Sequence, residues 1–314
     1  MSGIICVHVD DFLWGGDNEF YNKVMLPLMK SLEIGSTARG AFKYLGLRIV
    51  QEKSSIQIDQ KNYISNIEEI GLKEERKKLR SEPVNNDEAH SLRVLVGQLN
   101  WVVRQTRADV AFDCCELSTV LHNAKVEDII TANKVVQRLK KKDVTVVMPA
   151  LDDVTNLCIE CYSDASFGNL PGGGSQGGYI IFISDGNGHS CPVAWQSKKI
   201  RRVVKSTLAA ETLALLEAAE AGVYLATLFK QILNLSDGPI VKCFVDNKSL
   251  VDSLNSTTTV EDKLLRINMA VLKDMLHRRD LHSVTWVRTA HQLANALTKK
   301  GACPLKLIEA INMK

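Results

Sequence analysis

The chain has 314 residues, 45% of them hydrophobic and 24% charged, with a net charge of +3. That is enough to bury a sizeable core in about two domains, and the balance excludes a disordered or fibrous protein. No run reads as long and apolar enough to span a bilayer, and Asp10 and Asp11 interrupt the opening apolar run where a secretory signal would continue. The eight cysteines lack zinc spacing and read as thiols, so the expectation is an intracellular protein, cytoplasmic or nuclear, with no membrane and no cysteine-bound metal.

In chain order, Ile4 to Trp14 predicts strand, tight turn, strand, with Asp10-Asp11 at the tip. This segment resembles the hairpin of reverse transcriptases that carries paired metal-binding aspartates, with His8 where an aromatic is usual. Phe42 to Ile49 resembles the next palm strand, near the primer grip, and Ile56 to Ile64 continues that pattern. Such polymerases need a further aspartate on an earlier strand, and the sequence opens at the hairpin. The expectation is therefore a truncated palm without polymerase activity, in which Asp10 and Asp11 are relics.

Glu82 to Asp87 marks a loop. Helical spacing follows, first over Leu92, Leu95, Val96, Leu99 and Val102, then from Thr106, then from about Val126 to Lys141. Gly97 to Trp101 and Thr106 to Asp109 resemble the connecting segment of copia-type retrotransposons. Trp101, Arg104 and Arg107 read equally as contacts to a nucleic-acid backbone or as a packed Trp beside solvated arginines. Asp143 to Ala150 predicts an extended link. The expected division is 1–80 palm remnant, 81–150 helical thumb or connection, 151–300 nuclease and 301–314 helical tail.

The next stretch carries the chemistry. Val154, Leu157, Ile159 and Tyr162 mark a strand that ends at Asp164. Pro171 to Gly178 matches G-x-G-x-x-G, but a strand, Tyr179 to Ile183, follows where a dinucleotide site needs a helix. Asp185 to Gly188 reads as a hairpin turn and His189 to Gln196 as a third strand. Glu211 lies near the start of a long helical pattern capped by Ser206 or Thr207. Asp246 ends the apolar run Ile240 to Val245. A short helix over Asn247 to Leu254, a polar loop over Ser253 to Thr259, a helix over Asp262 to His277, a strand over Leu281 to Val287 and a last helix from Ala290 to Lys300 complete the pattern. Buried acids on strand ends need charged partners. Asp164 and Asp246 on strand ends and Glu211 on a helix, brought together, would suit hard divalent cations and phosphodiester chemistry.

Asp164, Glu211 and Asp246, in that order, resemble the type 1 ribonuclease H family. Trp195 to Lys199, Ser206 to Glu211 and His291 to Lys299 resemble the ribonuclease H part of copia-type retrotransposon polyproteins. The resemblance implies an α/β, ribonuclease H-like fold: a five-stranded mixed sheet with flanking helices, preceded by a partial palm and a helical connection. It also implies two Mg²⁺ ions, with Mn²⁺ as a substitute, and an RNA–DNA hybrid as substrate. Asp164 would bridge both ions, while Glu211 and Asp246 would hold the one that activates water, Glu211 also orienting a ribose 2′-hydroxyl.

Asn295 stands where the family's Ala-Asp-x-Leu-Thr-Lys pattern has Asp, so weaker binding of the second metal and reduced activity are expected. His291 reads as a surface residue or as a counterpart of the family's mobile histidine. The basic run Lys198, Lys199, Arg201, Arg202 and Lys205 is expected to track phosphates. The competing reading is a nucleic-acid-binding remnant without catalysis. A transposase or integrase would place its glutamate after the second aspartate, whereas Glu211 precedes Asp246. The sequence leaves the oligomeric state open.

Overall fold

The computed structural model describes residues 2–257 and 261–312. Residues 258–259 of the expected polar loop and 313–314 of the expected tail lie outside the described residues.

The chain opens with an antiparallel hairpin, β1 (Gly3–His8) and β2 (Asp11–Gly16), which forms a two-stranded sheet by itself. Val9 in its turn adopts φ 52°, a region that β-branched residues avoid. Two short helices, α1 (Asn18–Phe20) and α2 (Leu26–Ser31), follow, joined by a π-helical turn. The segment read as one palm strand is two, β3 (Ala41–Tyr44) and β4 (Leu47–Gln51), because Leu45 and Gly46 turn the chain at positive φ. β5 (Ser55–Asp59) pairs with β4, and α3 (Lys61–Ser65) and α4 (Glu74–Lys78) lead to the first long helix.

That helix, α5 (Asn86–Gln105), starts at a capping box between Asn85 and Glu88 and buries Leu92, Leu95, Val96, Leu99 and Val102. α6 (Ala111–Val120) and α7 (Val126–Lys141) complete the helical layer. Arg107 is neither solvated nor free to touch nucleic acid. It is fully buried between α5 and α6, forks onto Asp109 at 2.8 and 2.9 Å, and donates to the Leu139 carbonyl. The segment expected as a link contains β6 (Val146–Pro149), which pairs antiparallel with β5 and completes a four-stranded sheet, β3-β4-β5-β6. Its valines are β-prone, and the edge of β5 supplies the partner they need.

The second sheet has order β11-β10-β7-β8-β9. β7 (Cys158–Leu170), β8 (Gly174–Ser184) and β9 (Ser190–Ile200) form an antiparallel meander. α8 (Thr207–Leu233) crosses to β10 (Ile240–Val245), which runs parallel to β7 and to β11 (Ser283–Trp286). α9 (Lys248–Asn255) and α10 (Lys263–His277) lie between the last two strands, and α11 (Leu305–Asn312) closes the chain. This strand order and direction is the ribonuclease H-like fold.

Two cores flank the sheet. On one side Leu215, Ala218 and Ala219 of α8 pack on Ile159, Cys161, Ile181, Val241 and Cys243. Gly222 lets the helix come this close: a Cβ there would lie 2.6 Å from the Cys161 sulfur. On the other side Ile180 and Phe182 join one continuous core with Leu99 and Val102 of α5, Val135, Val136 and Leu139 of α7, and Leu307, Ile308 and Ile311 of α11. Trp195 Nε1 ties the layers by donating to the Val103 carbonyl at 2.7 Å.

The expectation that no segment is long and apolar enough for a membrane needs correcting. α8 meets that test by length and composition. Its run of small and apolar residues packs closely on the sheet, and it carries the buried Glu211.

Candidate active site

Asp164 does not end its strand. β7 runs on beside β8 to Leu170, whereas its parallel ladder with β10 stops at Tyr162, paired with Phe244. Past that point the two strands part, and Asp164 and Asp246 stand at the opening, Asp246 directly after β10. Glu211 arrives from the first turns of α8, whose start is set by Ser206, its hydroxyl accepting from the Ala209 N–H at 3.1 Å. Carboxylate oxygens of Asp164, Glu211 and Asp246 all lie within 4.8 Å of one another. Asp164 and Glu211 are only 1% and 4% exposed, and Asp246 is half-buried.

The electrostatics of this corner are unfavourable as it stands. Burial, reinforced by Asp164 and Asp246, pushes the Glu211 carboxyl up to about 9. Burial also raises the Asp164 carboxyl, against the pull of Lys299 and a hydrogen bond from Thr298. One oxygen on each, Asp164 Oδ1 and Glu211 Oε2, is buried with no hydrogen-bond partner among the described residues. Buried orphaned carboxylate oxygens are costly. An all-oxygen donor set with two such atoms fits a hard divalent cation.

The segment expected as a helix from Ala290 is instead two 3₁₀ turns, Thr289–His291 and Leu293–Leu297. The second packs hard against β8: a Cβ on Gly178, the register partner of Asp164, would lie 2.7 Å from Leu297. The Ser197 hydroxyl also donates to the Leu297 carbonyl. This turn presents Thr298, whose hydroxyl donates to Asp164 Oδ2, and Lys299, whose Nζ is 3.4 Å from the same oxygen. Lys299 also donates to Asn295 Oδ1, so Asn295 is linked to the carboxylates through a lysine. Thr298 and Lys299 belong to a string singled out in the sequence but were given no role. Their signal was the three- and four-residue spacing from Asn295, which in a tight turn brings them to one side.

The other expected residues fall elsewhere. Lys198 and Lys199 are on edge strand β9, not beyond it, and Arg201, Arg202 and Lys205 follow. Ser197 stands in register with Gly178, and Gly178 with Asp164. At about 4.8 Å per strand spacing, the backbone where the basic run begins is thus roughly 10 Å from that of Asp164. Lys198 pairs with Glu217 at 2.9 Å and Lys205 with Asp262 at 3.7 Å. Arg201 and Arg202 are exposed. His291 is exposed and outside the carboxylate group. Asp10 and Asp11 are exposed at the hairpin tip and join no acidic group among the described residues.

No protein-family model matches the chain. It is 23% identical over 93% of its length to the retrovirus-related Pol polyprotein from transposon RE1 of Arabidopsis thaliana. It is 24% identical over 94% to that from transposon TNT 1-94 of Nicotiana tabacum. The chain is similar to retrotransposon Pol polyproteins. It spans 20% and 23% of the length of these two relatives. Among solved structures it is similar to ribonuclease H1 from Halobacterium salinarum NRC-1, with a TM-score of 0.33 and 24% identity over 45% of this chain and 93% of that one. The LC11 ribonuclease H1 in complex with an RNA/DNA hybrid gives a TM-score of 0.33 and 20% identity, covering 45% and 93%. The prototype foamy virus protease-reverse transcriptase gives 0.30 and 10%, covering 94% of this chain and 42% of that one.

Proposed function

We propose that this retrotransposon Pol-like chain cleaves the RNA strand of RNA–DNA hybrids at the Asp164, Glu211 and Asp246 cluster. The observation that carries the reading is three carboxylates within 4.8 Å of one another, two of them with buried, unpartnered oxygens, on a ribonuclease H-like sheet. Two Mg²⁺ ions, or Mn²⁺ in their place, would supply an activated water for in-line attack and positive charge for the leaving 3′ oxygen. Asp164, the most buried of the three, would hold the ions together with Glu211 and Asp246, the last two serving the side where water is activated. Thr298 and Lys299 hold Asp164 in one orientation. The basic run from Lys198 to Lys205 aligns the phosphates of the duplex without reading sequence. Lys199, Arg201 and Arg202, exposed and outside the Lys198 and Lys205 ion pairs, are its most available members.

Asn295 weakens this site. Asn keeps an oxygen but no charge, and that oxygen is taken by Lys299. The same contact favours a second reading, a nucleic-acid-binding remnant in which Lys299 stands in for part of the cationic charge and no cleavage occurs. Cleavage of a labelled RNA–DNA hybrid with and without divalent ion, beside single-stranded RNA and duplex DNA, separates the two. Ion-dependent cutting confined to the RNA of the hybrid supports the nuclease. A dead native chain that binds hybrid and is revived by Asn295→Asp establishes the remnant.

A further inference from the structure

The strands bearing Asp164 and Asp246 lose their mutual hydrogen bonds just before the two acids, since the β7–β10 ladder ends at Tyr162 and Phe244. Something else must hold the gap at a fixed width. One buried side chain spans it. Gln292, 4% exposed, donates from Nε2 to the Ser163 carbonyl at 2.9 Å and to the Phe244 carbonyl at 3.2 Å. Its Oε1 accepts from the Ala294 N–H at 3.1 Å, at the start of the turn that carries Asn295, Thr298 and Lys299. A single amide thus joins the residue before Asp164, a residue two before Asp246, and the turn that grips Asp164.

We infer that Gln292 is a positioning residue that sets the separation of Asp164 and Asp246 and so their grip on a divalent cation; the metal half of this inference rests on the nuclease reading above. No other residue type does this as well. Two donors on one planar group reach two carbonyls at once, and the remaining oxygen is free for the turn. Leucine or methionine would fill the space and leave two buried backbone groups and one part-buried carbonyl without this partner. Hydrogen bonds to the ligating groups themselves change metal affinity by about 10–100-fold when removed, and a tie on the backbone beside Asp164 and Asp246 is expected to act within that range.

The test compares the native chain with Gln292→Met, which keeps length and loses the amide, and with Gln292→Asn, which keeps the amide but is too short for both carbonyls. Two readouts are taken on the full chain without substrate. The first is amide hydrogen exchange in the metal-free protein. The expected result is faster exchange confined to residues 163–165 and 244–247, with α7 unchanged. The second is titration with Mn²⁺ alone, where binding by the variants is expected to be about 10–100-fold weaker. Should Gln292→Met not fold, Gln292→Asn carries both measurements. Exchange that is unchanged around the two acids, or raised equally everywhere, overturns the clamp. A local rise in exchange with Mn²⁺ affinity unchanged overturns the positioning role. A native chain that takes up no Mn²⁺ removes the nuclease reading and the metal half of this inference together, while the exchange data still decide whether Gln292 ties the strands.

Discussion

Asp10 and Asp11 tip a hairpin, and Asp164, Glu211 and Asp246 meet beside a sheet. In the sequence Asp10 and Asp11 look like Asp164 and Asp246, as acids that close apolar runs. In the fold the first pair is exposed on a ribbon that is two-stranded among the described residues. The second set is drawn from β7, α8 and the end of β10, and largely removed from water. Water satisfies an exposed carboxylate, so the hairpin acids have no need of a ligand. Buried carboxylates at close range repel each other and want a cation or a proton. Convergence and burial together, more than residue type, distinguish a site from a turn.

The largest test of that contrast is removal of charge from each set. Asp164→Asn is expected to lower single-turnover cleavage of an RNA–DNA hybrid by at least about 10²–10³-fold, the scale of losing one preorganised electrostatic group. Asp10→Asn with Asp11→Asn should leave cleavage unchanged. Equal losses in both would erase the distinction.

Stability against pH comes next. The folded Glu211 carboxyl, near 9, sits above its ordinary value of 4.5, so the native state holds a proton that the unfolded chain releases. Its contribution is full below about pH 4.5 and is lost as pH rises towards 9; Asp164 shifts in the same direction. Metal-free protein should therefore lose stability between pH 5 and pH 9, by up to about 1.4 kcal/mol per pH unit for one proton. Glu211→Gln should flatten that slope in urea titrations, and saturating Mg²⁺ should oppose it. Neutralising Asp10 and Asp11 should not alter the profile.

Asn295→Asp has a smaller expected effect. A unit charge at about 4 Å contributes roughly 4 kcal/mol at an effective dielectric near 20 before desolvation offsets it. A fourth acid would also draw Lys299 from Asp164. Mn²⁺ affinity is expected to rise about tenfold, or ~1.4 kcal/mol, as read by calorimetric titration. The smallest effect is at the hairpin. Val9→Gly relieves a left-handed φ and should stabilise the ribbon by about 1 kcal/mol, with hydrogen exchange of β1 and β2 slowed and hybrid cleavage unaffected.

Much of the second sheet and of the helical layer was legible from the sequence. The order Asp164, Glu211, Asp246, the strand–helix alternation and the bounds of α7 follow from hydrophobic period and capping signals, which are local. The misses share a cause. β6 looked like a link because its partner, β5, is about ninety residues away in sequence. The turns around Asn295 looked helical because spacing alone does not register the Gly178 gap they fill. Arg107 looked like a surface cation because its partner Asp109 and its burial under α7 appear only on packing.

The sequence by itself determined which acids were available, the alternation of strands and helices that carries them, and the uncharged Asn at 295. Those are properties of residue type and short-range period. Only tertiary structure decided that three acids would share one buried corner while two others stayed in water, that Lys299 would lean on Asp164, and that Gln292 would span the parted strands. Each depends on distances between segments far apart in the chain, set by the close packing of a sheet between two cores.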